Sequence, residues 1–591
     1  MSREQFRILL YDLGRKRGKI VYHDGRNHFI GGSGLAAMLY AIYGHADKPW
    51  NHAEQPFILT IGPLTGLFPL MSKVVCAFRS PYHDQYSESH GGGRAALSMR
   101  FAGLDGIVIT GKAKSLCCLS IGSNHIDCKD VGFMRGMNAL ASGKLMRRMF
   151  SRNSGHRSIL RIGQSGEIGS AMACINIDTY RHFGRLGSGA VLGDKNLKGI
   201  IIHGDSDFDQ PQGKTYPKLY KELYSRVTAT DMMKKYFDLG TPANLEPLNE
   251  LQSLPWYNLQ KTSDPAISTI TGEAFAGDAL LRNGACSGCP VGCIHIGYFR
   301  EKSLSASRYH FHQVAYDYEP IFAAGTMLGI TDSFDILRVL DSLEKVSLDA
   351  MSGGVALAWA TEATERGLIS ENETLVPLSF GAAENYIKAA AFLGKGMNEF
   401  YKLLGQGTLK AAARYGGEEF ACVLGQEMAG YATGELYFAS QSLGFRHSHL
   451  DTGAYSWDQK NQDKDVDKGV TFLIGDEPGR VLLTSMVACL FARSVYTNEV
   501  LAECLETTGF PGIASTLEKA GEEIRKLRWQ TRFATGFNPD EISIPKRFYK
   551  VKTWKGQIDK GFLNNLKTEY GKKLRRFDEP IKLDITDSKE K

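Results

Sequence analysis

Gly284-Ala-Cys286-Ser-Gly-Cys289-Pro-Val-Gly-Cys293-Ile-His295 is the stretch from which the rest of the chain can be read. Its cysteines follow a C-x2-C-x3-C spacing. On a helix the three sulfurs would share a face, but Gly284, Gly288, Pro290 and Gly292 oppose a helix here. The spacing predicts a loop that bends tightly around a compact anionic group and turns free backbone N–H groups toward its sulfurs. An iron–sulfur cluster fits that description, and with it an electron-transfer enzyme.

A cubane cluster takes four thiolates, so one must come from elsewhere. Cys489 is the expected fourth, because it sits in the apolar run Val481 to Phe491 and would reach the cluster from the interior; Cys504 and Cys422 are the reserves. Zinc or plain buried cysteine is the competing reading. Structural zinc sites bring two CxxC or HxxxH pairs, however, and the sequence has no second pair.

The loop lies where the character of the chain changes. Upstream come Gly-rich turns and short apolar runs: Phe57–Ile61, Val74–Phe78, Gly106–Thr110, Ile159–Ile162 and Gly199–His203, which read as buried strands. Between them lie Gly31-Gly-Ser-Gly34, Gly62-Pro-Leu-Thr-Gly66, Gly91-Gly-Gly93 and Gly184-Arg-Leu-Gly-Ser-Gly189, suited to sharp turns, close backbone approach or the cradling of a phosphate. None is a G-x-G-x-x-G or a P-loop, so a nicotinamide or nucleotide-hydrolysing site gains little support. Helical apolar spacing takes over at Tyr216–Lys235, Ser333–Glu365, Ala382–Tyr415 and Leu501–Leu527. The expected architecture is α+β: a β-rich domain over 1–208, a helical domain with the cysteine loop over 209–415, and a second helical domain over 416–591.

Length and composition set outer bounds. A chain of 591 residues can bury a large cofactor, and 43% hydrophobic with 23% charged residues is the balance of an ordinary globular protein. The start of the chain has no apolar signal segment and no run is long enough to span a membrane, so the expected compartment is the cytoplasm. Eleven scattered cysteines fit reducing surroundings. Net charge is +6, and base is concentrated near the end at Lys546, Arg547, Lys550, Lys552, Lys555, Lys560, Lys572, Lys573, Arg575 and Arg576. No nucleic-acid-binding signature accompanies it; an acidic protein partner or a solvated face accounts for such a run.

Taken together, Gly31–Ala36, Gly62–Gly66, Phe101–Gly111, Gly166-Glu167, Gly184–Lys198 and the cysteine loop resemble the tungsten-containing aldehyde ferredoxin oxidoreductase family over most of the chain. The resemblance implies a β-rich domain that cradles two pterins, two helical domains closing over a tungsten or molybdenum ion held by the pterin sulfurs, and one [4Fe-4S] cluster. It implies that Lys73 reaches a pterin, that Ser89 and Ala173 help hold an ion such as Mg2+ bridging the pterin phosphates, and that Asp349 accepts hydrogen bonds from pterin ring N–H groups. Two D-x-x-G-L-(C/D) elements are expected; they read Glu344-Lys-Val-Ser-Leu-Asp349 and Thr484-Ser-Met-Val-Ala-Cys489, so the second has lost its leading acid. For the chemistry, Glu319 in Tyr318-Glu319 and His447 in Gly444-Phe-Arg-His447 match, with His449 competing inside the polar cluster Arg446–Asp451. The implied activity is oxidation of an aldehyde to an acid, with ferredoxin or an iron–sulfur subunit as acceptor and a homo- or hetero-oligomer as the assembly. Reduction of an aromatic thioester is the alternative within the family, and a non-catalytic iron–sulfur relay the alternative outside it.

Overall fold

A computed structural model describes residues 4–151, 156–207, 210–302 and 308–583. The expected boundary at 208/209 and the polar tail after Leu583 lie outside these residues. Strands come first: β1 (Phe6–Asp12), β2 (Arg17–His23), β3 (Phe57–Thr60), β4 (Val74–Arg79), β5 (Tyr86–Gly91), β6 (Gly106–Thr110), β7 (Cys117–Ile121), β8 (Ile126–Asp130), β9 (His156–Arg161), β10 (Ile175–Ile177), β11 (Arg181–Phe183) and β12 (Leu197–Gly204). They form two six-stranded sheets in the orders β2-β1-β6-β3-β4-β5 and β11-β10-β9-β12-β7-β8. Each sheet is antiparallel apart from one parallel pair, β1 with β6 and β12 with β7.

The continuous apolar runs have a plain cause: the first sheet is covered on both faces. Leu9, Tyr11, Val74, Cys76, Ile107 and Ile109 pack toward Leu119, Leu160, Ile200 and Ile202 of the second sheet. Ile8, Val75, Ala77 and Val108 instead join the large core shared with the helices, including Leu35 to Tyr40 of the helix Gly32–Tyr43. A strand covered on both sides has no polar face to alternate with.

The long helical stretches are helical but interrupted, at residues that cap. Ser333–Glu365 divides into Ser333–Val346 and Ala350–Glu365, because Ser347 turns left-handed (φ 60°) and Asp349 caps the next helix by accepting from the N–H groups of Met351 and Ser352. Leu501–Leu527 divides at Pro511, and Tyr216–Lys235 at Thr230, whose side chain accepts from Met233 N–H. Strands went unread in the segment expected to be helical: a three-stranded sheet of β13 (Leu280–Gly284), β14 (Ile294–Lys302) and β15 (Tyr309–Tyr316), and two short two-stranded pairs farther on. The cysteine loop joins β13 to β14. No helix among the described residues is long and apolar enough to cross a membrane.

Candidate functional site

Backbone holds the cysteine corner. Gly288 and Gly292 adopt φ of 68° and 67°, which lets the loop double back within a few residues. Cys289 N–H bonds to Cys286 O at 3.1 Å, and Ser287 N–H to Gly93 O at 3.0 Å, so the Gly91–Gly93 turn lies directly on the loop. A Cβ at Gly92 would stand 2.6 Å from Cys286 Sγ. Cys489 arrives from the far end of the chain through a short tie: Cys489 N–H bonds to Leu70 O and Lys73 N–H to Val487 O, each at 3.0 Å. That tie places the fourth thiol and the Lys73 ammonium together.

All four thiols line one cavity of about 400 Å³ with Lys73, Glu319, Glu344, Asp349 and His449. Cys422 and Cys504 are buried elsewhere. Among the described residues no three His, Cys, Asp or Glu side chains converge as a single bound ion requires; the thiols ring the space instead. Arg181 comes within 4.0 Å of Cys293 Sγ. Burial raises the Cys286 thiol, but Lys73 and Arg181 outweigh it and bring it below its usual value. Burial lifts Cys289 to about 12 and Cys293 to about 11. Conversely, burial lowers the Lys73 ammonium, yet the facing Cys489 and Cys286 sulfurs hold it above normal. A four-thiol set with two fixed cations fits an anionic cluster.

A second corner is built from side chains of remote segments. Glu319, in the first turn of the helix Tyr318–Ala324, accepts from Tyr431 Oη at 2.9 Å and faces His449 Nε2 at 3.1 Å. Burial pushes its carboxyl up, but His449 and Tyr431 outweigh that and hold it below the usual range. Two residues earlier, burial and then the Glu319 charge push Asp317 up to about 7. His449 Nδ1 and Arg181 Nε are buried without a hydrogen-bond partner among the described residues, and both residues line the cavity. A polar group filling the cavity would meet these atoms.

The two acids of the first element line the same cavity. Glu344 meets His182 Nε2 and accepts from Asn176 Nδ2, both at 2.7 Å, so His182 keeps it ionised against the pull of burial. Asp349 spends part of its carboxylate on its cap and on Ser352 Oγ (2.5 Å), with Arg185 at 3.5 Å; burial still raises it. The segment before β10 fixes its place, since Asp349 N–H bonds to Met172 O and Cys174 N–H to Ser347 O.

Other predicted residues lie apart. His447 does not line the cavity; it is buried with Nδ1 against Gln441 O at 3.1 Å and Nε2 against Arg532 Nη2 at 2.7 Å. Ser89, on β5, and Ala173, whose carbonyl accepts Gly189 N–H at 3.0 Å, are buried outside the lining as well. Thr484, where the second element lacks its acid, lines the cavity and accepts from Ser33 Oγ at 3.0 Å. Ser33 Oγ shares its one proton between Thr484 and Glu88 Oε2 at 2.9 Å, the latter a buried carboxylate on β5 that Arg528 grips at 2.8 and 3.1 Å. Gly31, Gly32 and Gly34 allow close packing: a Cβ at Gly32 would stand 2.2 Å from Thr484 O. At Gly184, a lining residue, it would meet nothing within 4 Å. The basic end is partly neutralised within the chain, Arg547 by Glu362, Lys555 by Asp458 and Arg575 by Asp540. Reading by motif missed Asp317, Arg181, His182 and Tyr431. Asp317 carried a signal, a second acid beside Tyr318-Glu319 in an apolar run; Tyr431 carried none.

Two family profiles cover nearly all of the chain: "Aldehyde ferredoxin oxidoreductase, N-terminal domain" over residues 8–204 and "Aldehyde ferredoxin oxidoreductase, domains 2 & 3" over residues 218–577. The tungsten-containing aldehyde ferredoxin oxidoreductase of Pyrococcus furiosus is 27% identical over 544 residues, 88% of this chain and 87% of that protein. A second protein of that organism, the WOR-like subunit of an aliphatic sulfonate oxidoreductase, is 26% identical over 69% of this chain and 67% of its own. In three dimensions the chain is similar to a chain of the active-site complex BamBC of benzoyl coenzyme A reductase, with a TM-score of 0.79 at 18% identity over 97% of this chain and 95% of that one.

Proposed function

The chain belongs to the aldehyde ferredoxin oxidoreductase family, and we propose that it oxidises an aldehyde to a carboxylic acid with water, the two electrons leaving singly through a [4Fe-4S] cluster to ferredoxin or an iron–sulfur partner subunit. The observation that carries this reading is the sharing of one cavity by the four thiols and the Glu319–His449 pair. A tungsten or molybdenum ion held by two pterins would supply the oxygen-transfer and two-electron chemistry when bound. Cys286, Cys289, Cys293 and Cys489 would hold the cluster, and Lys73, Glu344 and Asp349 would face the pterins.

The chain's own residues divide the remaining work. Glu319, kept ionised by His449 and Tyr431, is the base that takes a proton from water or the hydrated aldehyde. His449 orients the substrate oxygen through its unpartnered ring nitrogen. Val314, Pro320 and Met351 give the same space an apolar lining that lowers its local dielectric.

The test is metal and pterin analysis of protein purified without oxygen from a host that makes the cofactor, followed by an aldehyde screen. Tungsten or molybdenum with about four iron per chain, releasable pterin, and aldehyde turnover that Glu319→Gln abolishes while both metals stay bound is the expected result. Full turnover in Glu319→Gln removes its assigned role. Loaded protein that reduces an aromatic thioester and oxidises no aldehyde makes the second family chemistry the function, and iron without pterin makes the chain a relay.

A further inference from the structure

Asp317 stands at the N-cap of the helix Tyr318–Ala324, yet its side chain caps nothing. Asp264, Asp332, Asp349, Asp465 and Asp559 occupy the same position on other helices, and each accepts a backbone N–H. An N-cap aspartate that forgoes its cap gives up a standard stabilising bond. The Asp317 carboxylate lines the cavity instead, and no hydrogen bond or ion pair to it forms among the described residues. Glu319 on its own helix, Arg181 and His182 on β11, and Lys73 beside β4 are the charged or titratable groups that face it.

We propose that Asp317 is a second proton holder of this site. The role rests on the aldehyde-oxidation reading, whose balance releases two protons: aldehyde and water become acid, two protons and two electrons. The electrons go to the one-electron carrier protein. Glu319 takes one proton, and the Asp317 carboxylate takes the other before releasing it to solvent. Burial and the neighbouring Glu319 charge place its titration at about 7, where the group both accepts and gives up a proton readily.

The experiment compares the loaded wild-type protein with Asp317→Asn and Asp317→Glu. Two readouts are followed against pH, the infrared band of protonated carboxyl groups and kcat. The expected wild type has a carboxyl band titrating near pH 7, absent from Asp317→Asn and restored in Asp317→Glu. Its kcat rises through the same range; in Asp317→Asn the rise is lost and kcat falls about 100-fold, with KM within about twofold. A band that survives in Asp317→Asn, or an unchanged pH profile, overturns the proposal. If Asp317→Asn folds poorly, a wild-type pH profile shifted in Asp317→Glu supports the role, and an unshifted one overturns it. Loaded wild-type protein that oxidises no aldehyde at any pH sinks the parent reading and this role with it, whereas normal aldehyde turnover with an unshifted profile sinks Asp317 alone.

Discussion

The two corners of the cavity are built by opposite means. At the thiol corner three of four donors come from eight consecutive residues, and the surroundings are backbone: the glycine turn at 91–93, the tie between 70–73 and 487–489. At the carboxylate corner Glu319, Tyr431 and His449 come from three separate segments and meet only through side chains. Spacing along a chain encodes the first kind of site, because ligand geometry is local. Packing encodes the second, because each partner is useful only after the helices that carry it have docked.

The contrast can be broken or sharpened by substitution. The largest effect belongs to the thiol corner: Cys289→Ala should abolish the visible absorbance of the cluster and with it electron delivery to any acceptor. At the other corner Glu319→Gln should lower turnover by about 10²–10⁴-fold while the cluster absorbance stays, which separates the corners cleanly. His447 and His449 offer a finer division. His449→Ala should depress turnover, whereas His447→Ala, which strips a buried Arg532 of one acceptor, should cost about 1–3 kcal/mol of stability in denaturant unfolding with iron content intact.

Arg528→Met probes the buried ion pair with Glu88 on β5. It leaves Glu88 buried without the guanidinium that holds its carboxyl far below the usual range against burial, a loss of about 3–5 kcal/mol. Asp317 gives the smallest signal and the opposite pH sign. Its raised folded value means that stability is complete below the unfolded value of about 3.9 and is lost as pH rises through about 7. Asp317→Asn should therefore narrow the fall in melting temperature between pH 5 and pH 8, by about 2 °C.

Much of the fold was legible for a related reason. Strands buried on both faces announce themselves as unbroken apolar runs, and Phe57–Ile61 or Gly199–His203 needed no partner to be recognised. Helix interruptions were harder, since Ser347 and Asp349 sit inside a helical apolar period and break it by turning and capping rather than by polarity. The β13–β15 sheet was missed because β15 reads Tyr-His-Phe-His-Gln, a polar and half-exposed pattern. Within the site, Cys489 could be singled out by its apolar setting. That His449 rather than His447 lines the cavity could not be read, for both sit two residues apart in one polar cluster.

The tie between Leu70–Lys73 and Val487–Cys489 has a consequence for biosynthesis. Three of the cavity's thiols leave the ribosome long before the fourth, which cannot reach them until the segment after the helix Val466–Ser485 has paired with residues near β4. On the proposed ligation, cluster insertion would wait for translation: a truncated or still-growing chain would present an incomplete thiol set, and a nearly finished chain would be the first to retain iron.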